Sequence, residues 1–60
     1  MNQIAISRYA RQLYDQYGSR ALVIAGQRRR ILEEAGEFEK AALWSRIRQS
    51  MEQMRGASAA

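Results

Sequence analysis

The chain is 60 residues long and contains no histidine, cysteine or proline. The side chains that most often act as general bases, nucleophiles and metal ligands are therefore nearly absent, which argues against an enzyme, a metal site or a bound cofactor. Ten Lys and Arg residues against six Asp and Glu residues give a net charge of +4, divided into basic ends and an acidic stretch over residues 33–44.

Residues 4–17 are predicted to form the first helix. Apolar side chains recur there at three- and four-residue steps, a spacing that places them on one face of an α-helix. They are Ile6, Tyr9, Ala10, Leu13, Tyr14 and Tyr17. Gly18 and Ser19 follow, and a glycine past one helix end with a serine before the next is typical of a break between helices.

A second helix is predicted over residues 20–35, and Gly36 is expected to end it. The small residues Ala25 and Gly26 would let another helix approach closely. Arg28 is expected to lie in the middle of the apolar stripe. The apolar members of that stripe are Ala21, Ile24, Ala25, Ile31, Leu32 and Ala35.

The third helix is predicted over residues 37–55. Its apolar stripe consists of Phe38, Ala41, Ala42, Trp44, Ile47, Met51 and Met54, widened by Leu43. We expect Phe38 to lie in the core. Residues 1–56 are interpreted as one helical domain, and residues 57–60 as a disordered tail of small side chains.

Three helices joined by such short turns are expected to fold back as antiparallel neighbours, which predicts an all-α three-helix unit. A second interpretation fuses the first two helices through Gly18, and the resulting two-helix hairpin would need a partner hairpin. In either case the chain buries only about 60% of its unfolded surface, and neither disulfides nor a metal stabilise it. We therefore expect a helical-bundle oligomer, most simply a homodimer.

The segment 32–41 resembles the turn between two helices of a tetratricopeptide repeat. The resemblance rests on Gly36, Phe38 and Ala41, which in that family close one helix against the next. It covers this one turn. About three repeats are needed to form the groove in which the family binds peptides, so the resemblance implies a turn geometry and no peptide-binding function.

Over most of its length the chain is similar to a group of short, uncharacterised bacterial helical proteins. The shared features are Tyr9-Ala10, Gly18-Ser19, Glu34-Ala35-Gly36 and Ala42-Leu43-Trp44. This resemblance implies a helical bundle and brings no activity with it.

The residues expected to contact a partner lie mainly on the third helix. Leu43 and Trp44 are adjacent and point in different directions, so one small core cannot accommodate both. Trp is enriched at interface hot spots, and Met adapts to irregular surfaces. The candidate interface comprises Trp44, Leu43, Ile47, Met51, Met54, Ala25 and Gly26. This set predicts a protein-interaction or accessory module that forms a homodimer or binds a larger protein.

The alternative hypothesis is a small basic regulator that binds nucleic acid through arginine–phosphate contacts. The candidate residues are Arg28, Arg29, Arg8 and Arg11. Arg29 and Arg30 lie four residues before Glu33 and Glu34, so ion pairs within the helix are expected to neutralise part of this patch.

The longest unbroken apolar stretch runs from Ala21 to Ala25 and is extended by Gly26. A membrane-spanning helix needs about 20 such residues, so no membrane partner is expected. The absence of cysteine is compatible with a reducing compartment, and we expect a cytoplasmic protein with no small-molecule substrate.

Overall fold

Three α-helices joined by two short turns make up the chain in this computed structural model. The structure describes residues 2–59, with side chains described for residues 2–56. The helices are α1 (Gln3–Tyr17), α2 (Arg20–Glu34) and α3 (Phe38–Ala59), and residues 2–59 contain no strand. The predicted all-α class and the three-helix count are confirmed.

The helix ends lie within one residue of the predicted ones, except at the end of α3. This helix continues to Ala59, four residues past the predicted end at Arg55. Gly56 does not end the helix, because its backbone is helical. Gly18 and Gly36, which follow the ends of α1 and α2, instead have positive φ angles. The disorder of residues 57–60 stays a prediction, because residue 60 and the side chains of residues 57–59 lie outside the described residues.

The start of α1 is fixed by a side-chain cap. Asn2 has an extended backbone, with φ −85° and ψ 170°, and its Oδ1 accepts a hydrogen bond of 2.8 Å from the backbone N–H of Ala5. The first N–H groups of a helix have no partner within the helix, and an Asn at this position supplies one. The helix therefore begins one residue earlier than the apolar pattern predicted.

The turn between α1 and α2 depends on Gly18. Its φ of +62° and ψ of −140° belong to a region that only glycine adopts readily. Its N–H donates to the Tyr14 carbonyl at 2.7 Å and closes α1. Ser19 makes no capping hydrogen bond through its side chain. Helix α2 instead starts with hydrogen bonds between residues three apart: Ala21 N–H donates to the Gly18 carbonyl, and Leu22 N–H donates to the Ser19 carbonyl. Helices α1 and α2 are therefore separate, and the fused-helix alternative is wrong.

The turn between α2 and α3 is a Schellman motif centred on Gly36. The N–H of Glu37 donates to the Leu32 carbonyl at 2.8 Å, and the N–H of Gly36 donates to the Glu33 carbonyl at 3.1 Å. This pair of bonds satisfies the last carbonyls of α2 and requires a left-handed residue. Gly36 provides it with a φ of +78°.

Substituting Gly36 by alanine is expected to lower the free energy of unfolding by about 1–2 kcal/mol, because a Cβ atom disfavours the left-handed conformation. Apart from Gly36 itself and the residues on either side of it, no atom lies within 4 Å of the position that this Cβ would take, so the cost is conformational. Gly56→Ala is the matched control: Gly56 is helical and equally open, and the variant is expected to be unchanged or stabilised by up to about 1 kcal/mol. Urea denaturation followed by circular dichroism measures both, and equal effects would contradict the motif.

The core is formed by all three helices and is rich in alanine. Helix α3 contacts both other helices, and its contact with α2 is the largest in the molecule. The buried apolar residues are Ile6, Ala10, Ala21, Leu22, Ala25, Ala41, Ile47 and Met51. The radius of gyration is 11.3 Å, close to the roughly 10 Å of a folded chain of this length and far below the roughly 23 Å of an unfolded one.

Helix α2 is rotated relative to the predicted stripe. Leu22, which the stripe omitted, is buried, whereas Ile31, which it included, is 60% exposed. Arg28 is exposed as well and does not lie in the middle of the inward face. The reason is that Ala21 and Ala25 let α3 come close on their side of the helix, and close approach buries the adjoining Leu22. The large apolar residues on the far side stay outside.

Phe38 is not a core residue. Its side chain is 69% exposed, which contradicts the predicted burial. Phe38 is the first residue of α3 and precedes the buried Ile47 by nine positions, which is two and a half helical turns. The two side chains therefore point to opposite sides of the helix.

Candidate interaction surface

Three of the predicted interface residues lie inside the chain's own core. Ala25, Ile47 and Met51 are at most 2% exposed and belong to one cluster with residues of all three helices. The stripe of α3 that contains Ile47 and Met51 is covered because α1 and α2 both pack against it. In this fold a partner does not reach these side chains, so substitutions there report on folding.

The other predicted residues of α3 are half-buried. Leu43, Trp44 and Met54 all pack against the core and keep part of their surface accessible. The Trp44 ring meets Tyr9 of α1 edge to face, with ring centroids 5.9 Å apart and an interplanar angle of 79°, an arrangement that aromatic pairs favour. Leu43 faces a shallow surface depression, whose lining residues are Glu39, Lys40, Ala42, Leu43 and Arg46.

The helix that approaches the small residues of α2 is α3 of the same chain. Gly26 is half-buried, and a Cβ atom placed on it would lie 3.8 Å from Nη1 of Arg48. Arg48 also pairs with Glu52, with 3.2 Å between Nε and Oε1. The predicted close approach therefore takes place within the monomer.

The outward face of α2 carries apolar side chains that the interface prediction missed. Val23 and Ile31 are each 60% exposed, and Ile24 beside them is half-buried. We call these three residues the outer row. At one end the outer row borders a depression, whose lining residues are Tyr17, Arg20, Val23, Ile24 and Gln27. The sequence signal for this row was the spacing of its members: Val23 lies eight residues before Ile31, and Ile24 lies seven residues before it, which is about two helical turns.

Ion pairs engage four of the basic residues. Arg29 pairs with Glu33, with 2.7 Å between Nη1 and Oε1, and Arg30 with Glu34 at 3.5 Å, so the expected pairs within α2 are confirmed. Arg48–Glu52 on α3 and Lys40–Glu37 at its start complete the set. Within the part of the chain that the structure describes, no ion pair is formed by Arg8, Arg11, Arg20, Arg28, Arg46 or Arg55, all of which are exposed.

Among residues 2–59, no three acidic side chains lie close enough together to hold a metal ion. Within the same range, no helix combines the length and the apolar character that crossing a bilayer demands.

No family model matches the chain, and no curated protein or solved structure is significantly similar to it. Val23 and Ile31 of the outer row are two large apolar side chains of one helix that the core leaves exposed.

Proposed function

We propose that the protein is a non-enzymatic interaction or accessory module that binds protein and self-associates, most simply as a homodimer. The observation that carries this proposal is the exposure of large apolar side chains around a very small core. They are Ile4, Tyr9, Tyr17, Val23, Ile31 and Phe38. Full burial of one large aliphatic or aromatic side chain is worth about 1.5–3 kcal/mol, so covering several of them with a second protein surface is favourable.

The proposal includes antiparallel packing of helices that are joined by a short turn, as the sequence predicts. A Cβ atom on Gly26 would lie 3.8 Å from Nη1 of Arg48. Gly26 lies ten residues before Gly36 and Arg48 twelve residues after it, and this order supports opposite chain directions for α2 and α3. We also propose a cytoplasmic location, with which a chain that lacks cysteine is compatible.

Light scattering coupled to size-exclusion chromatography tests self-association. We expect a mass near twice the 6.9 kDa of one chain, falling towards that of one chain on dilution because dimerisation depends on concentration. Trp44→Ala probes the accessible part of α3 and Ile31→Gln probes the outer row, and the variant that lowers the mass identifies the helix in contact. A mass of 6.9 kDa at every concentration would contradict the proposal.

Nucleic-acid binding is the second candidate function, and the arginines without an acidic partner favour it. Arg8 and Arg11 on α1 and Arg28 on α2 are exposed, whereas Arg29 is engaged by Glu33. Arginines without an acidic partner remain available to phosphate groups. An electrophoretic mobility shift that weakens steeply with salt, and also with Arg8→Ala and Arg28→Ala, would support this function, and the absence of any shift at low salt would exclude it.

A further inference from the structure

Five residues on the outward face of α2 are arranged symmetrically about Gln27. Val23 and Ile31 lie four positions on either side, and Arg20 and Glu34 lie seven positions on either side. At 100° per residue all five directions fall within about 80° of one another, so they form one face of the helix. All five side chains are exposed. We call this set the palindromic face.

The symmetry pairs residues that attract each other. When two copies of one helix pack antiparallel about a twofold axis, a residue before the centre meets the residue equally far after the centre in the other copy. With the axis at Gln27, Val23 meets Ile31 of the second copy, and Arg20 meets Glu34 of the second copy. Each contact occurs twice, so the pairing joins two apolar pairs and two pairs of opposite charge. In a parallel pairing Arg20 would meet Arg20 and Glu34 would meet Glu34.

The charges at the two ends of α2 oppose the helix dipole. Arg20 is the first residue of the helix and Glu34 is the last, and the helix has no acidic residue in its first turn and no basic residue in its last. Both placements are unfavourable for an isolated helix, because its N-terminus is electropositive and its C-terminus electronegative. An antiparallel neighbour compensates both ends, since each end then lies beside the opposite end of the other helix and beside a side chain of opposite charge.

The surroundings of the palindromic face fit a second copy. The depression lined in part by Val23, Ile24 and Gln27 lies where Ile31 of the second copy would be seated. Glu34 pairs within its own chain with Arg30, but at 3.5 Å and with both side chains more than 70% exposed. An exposed pair of this kind contributes little, so Glu34 is available to exchange partners.

We propose that the palindromic face is a homodimer contact in which two α2 helices pack antiparallel about Gln27. This inference rests on the proposed self-association and names its surface and geometry. The partner is a second copy, and the two Gln27 side chains meet at the axis, flanked on each side by a Val23–Ile31 pair and then by an Arg20–Glu34 ion pair between chains.

Charge exchange between the two ends of α2 tests this geometry. Arg20→Glu alone and Glu34→Arg alone each turn both ion pairs between chains into repulsive contacts, which is expected to weaken the homodimer roughly tenfold or more. An equimolar mixture of the two variants restores both attractive pairs, so a heterodimer of wild-type affinity is expected. The double variant restores them within a homodimer. Sedimentation equilibrium measures each dissociation constant.

The same substitutions leave the fold of the monomer in place. Both variants improve the match between side-chain charge and helix dipole, so circular dichroism is expected to show undiminished helix content. Arg8→Glu and Glu39→Arg are the matched controls, because they make the same charge changes at exposed positions of α1 and α3. The controls are expected to dimerise as the wild type does.

The outcomes separate the two proposals. If the wild type dimerises but the single charge variants dimerise equally well, or the mixture does not recover, the antiparallel α2 contact is overturned and self-association stands. If the wild type has the mass of one chain at every concentration, both are overturned. A Gln27→Cys variant gives an independent reading: its thiol meets its own copy at the axis, so on oxidation it is expected to form a disulfide-linked dimer much faster than Gln12→Cys on α1 does.

Discussion

The Ile6→Ala variant is expected to lose about 2–5 kcal/mol of folding free energy, because it removes buried methyl groups and leaves a cavity. Ile6 is fully buried and is one of the largest side chains in the core. A chain of 60 residues has a total stability of roughly 3–9 kcal/mol, so a loss of this size brings the variant close to unfolding. Urea denaturation followed by circular dichroism measures it as a lower transition midpoint.

Ile4→Ala is the matched control for this experiment. Ile4 lies two residues earlier in the same helix, but it is 71% exposed, and surface substitutions usually change stability by less than about 0.5 kcal/mol. Both variants are compared at one chain concentration, since self-association contributes to apparent stability. Equal midpoints for the two variants would show that the inward face of α1 has been assigned wrongly.

The Ala25→Leu variant is expected to be destabilised by about 1–3 kcal/mol, because it forces a larger side chain into a filled space. Ala25 is fully buried within the core cluster that includes Ile47 and Met51. The sequence alone had placed Ala25 at an interface between chains, where a larger apolar residue would be tolerated or would strengthen association. The direction of the change therefore distinguishes an inward from an outward position.

Ala42→Leu provides the comparison, since Ala42 is an exposed alanine of α3. It is expected to leave the thermal midpoint nearly unchanged. If Ala25→Leu were as stable as the wild type and had a larger mass in light scattering, the small-residue side of α2 would be an outer contact surface after all.

The alanines of the core explain why so much apolar surface is left outside. Ala10, Ala21, Ala25 and Ala41 are all buried, and their small side chains let the three helices approach closely. A core built in this way has little volume, so the larger residues Val23 and Ile31 find no place in it. This distribution links the packing of the monomer to its proposed association.

Several features of the fold follow from local sequence, and these were predicted. The turns at Gly18 and Gly36 were recognisable because a positive φ angle at a helix end favours glycine over other residues. The Arg29–Glu33 pair was predictable because residues four apart are neighbours on a helix whatever surrounds them. Neither feature depends on another helix.

The sequence by itself therefore determined three helices and where they break, but only the tertiary structure decided which side of α2 faces inward. That helix has two apolar sides, one with Ala21, Leu22 and Ala25 and the other with the outer row, and helical periodicity is compatible with the burial of either. The structure buries the first because its alanines allow α3 to pack closely against the backbone of α2. Close packing is a property of two helices together, so the pattern of one helix did not contain it.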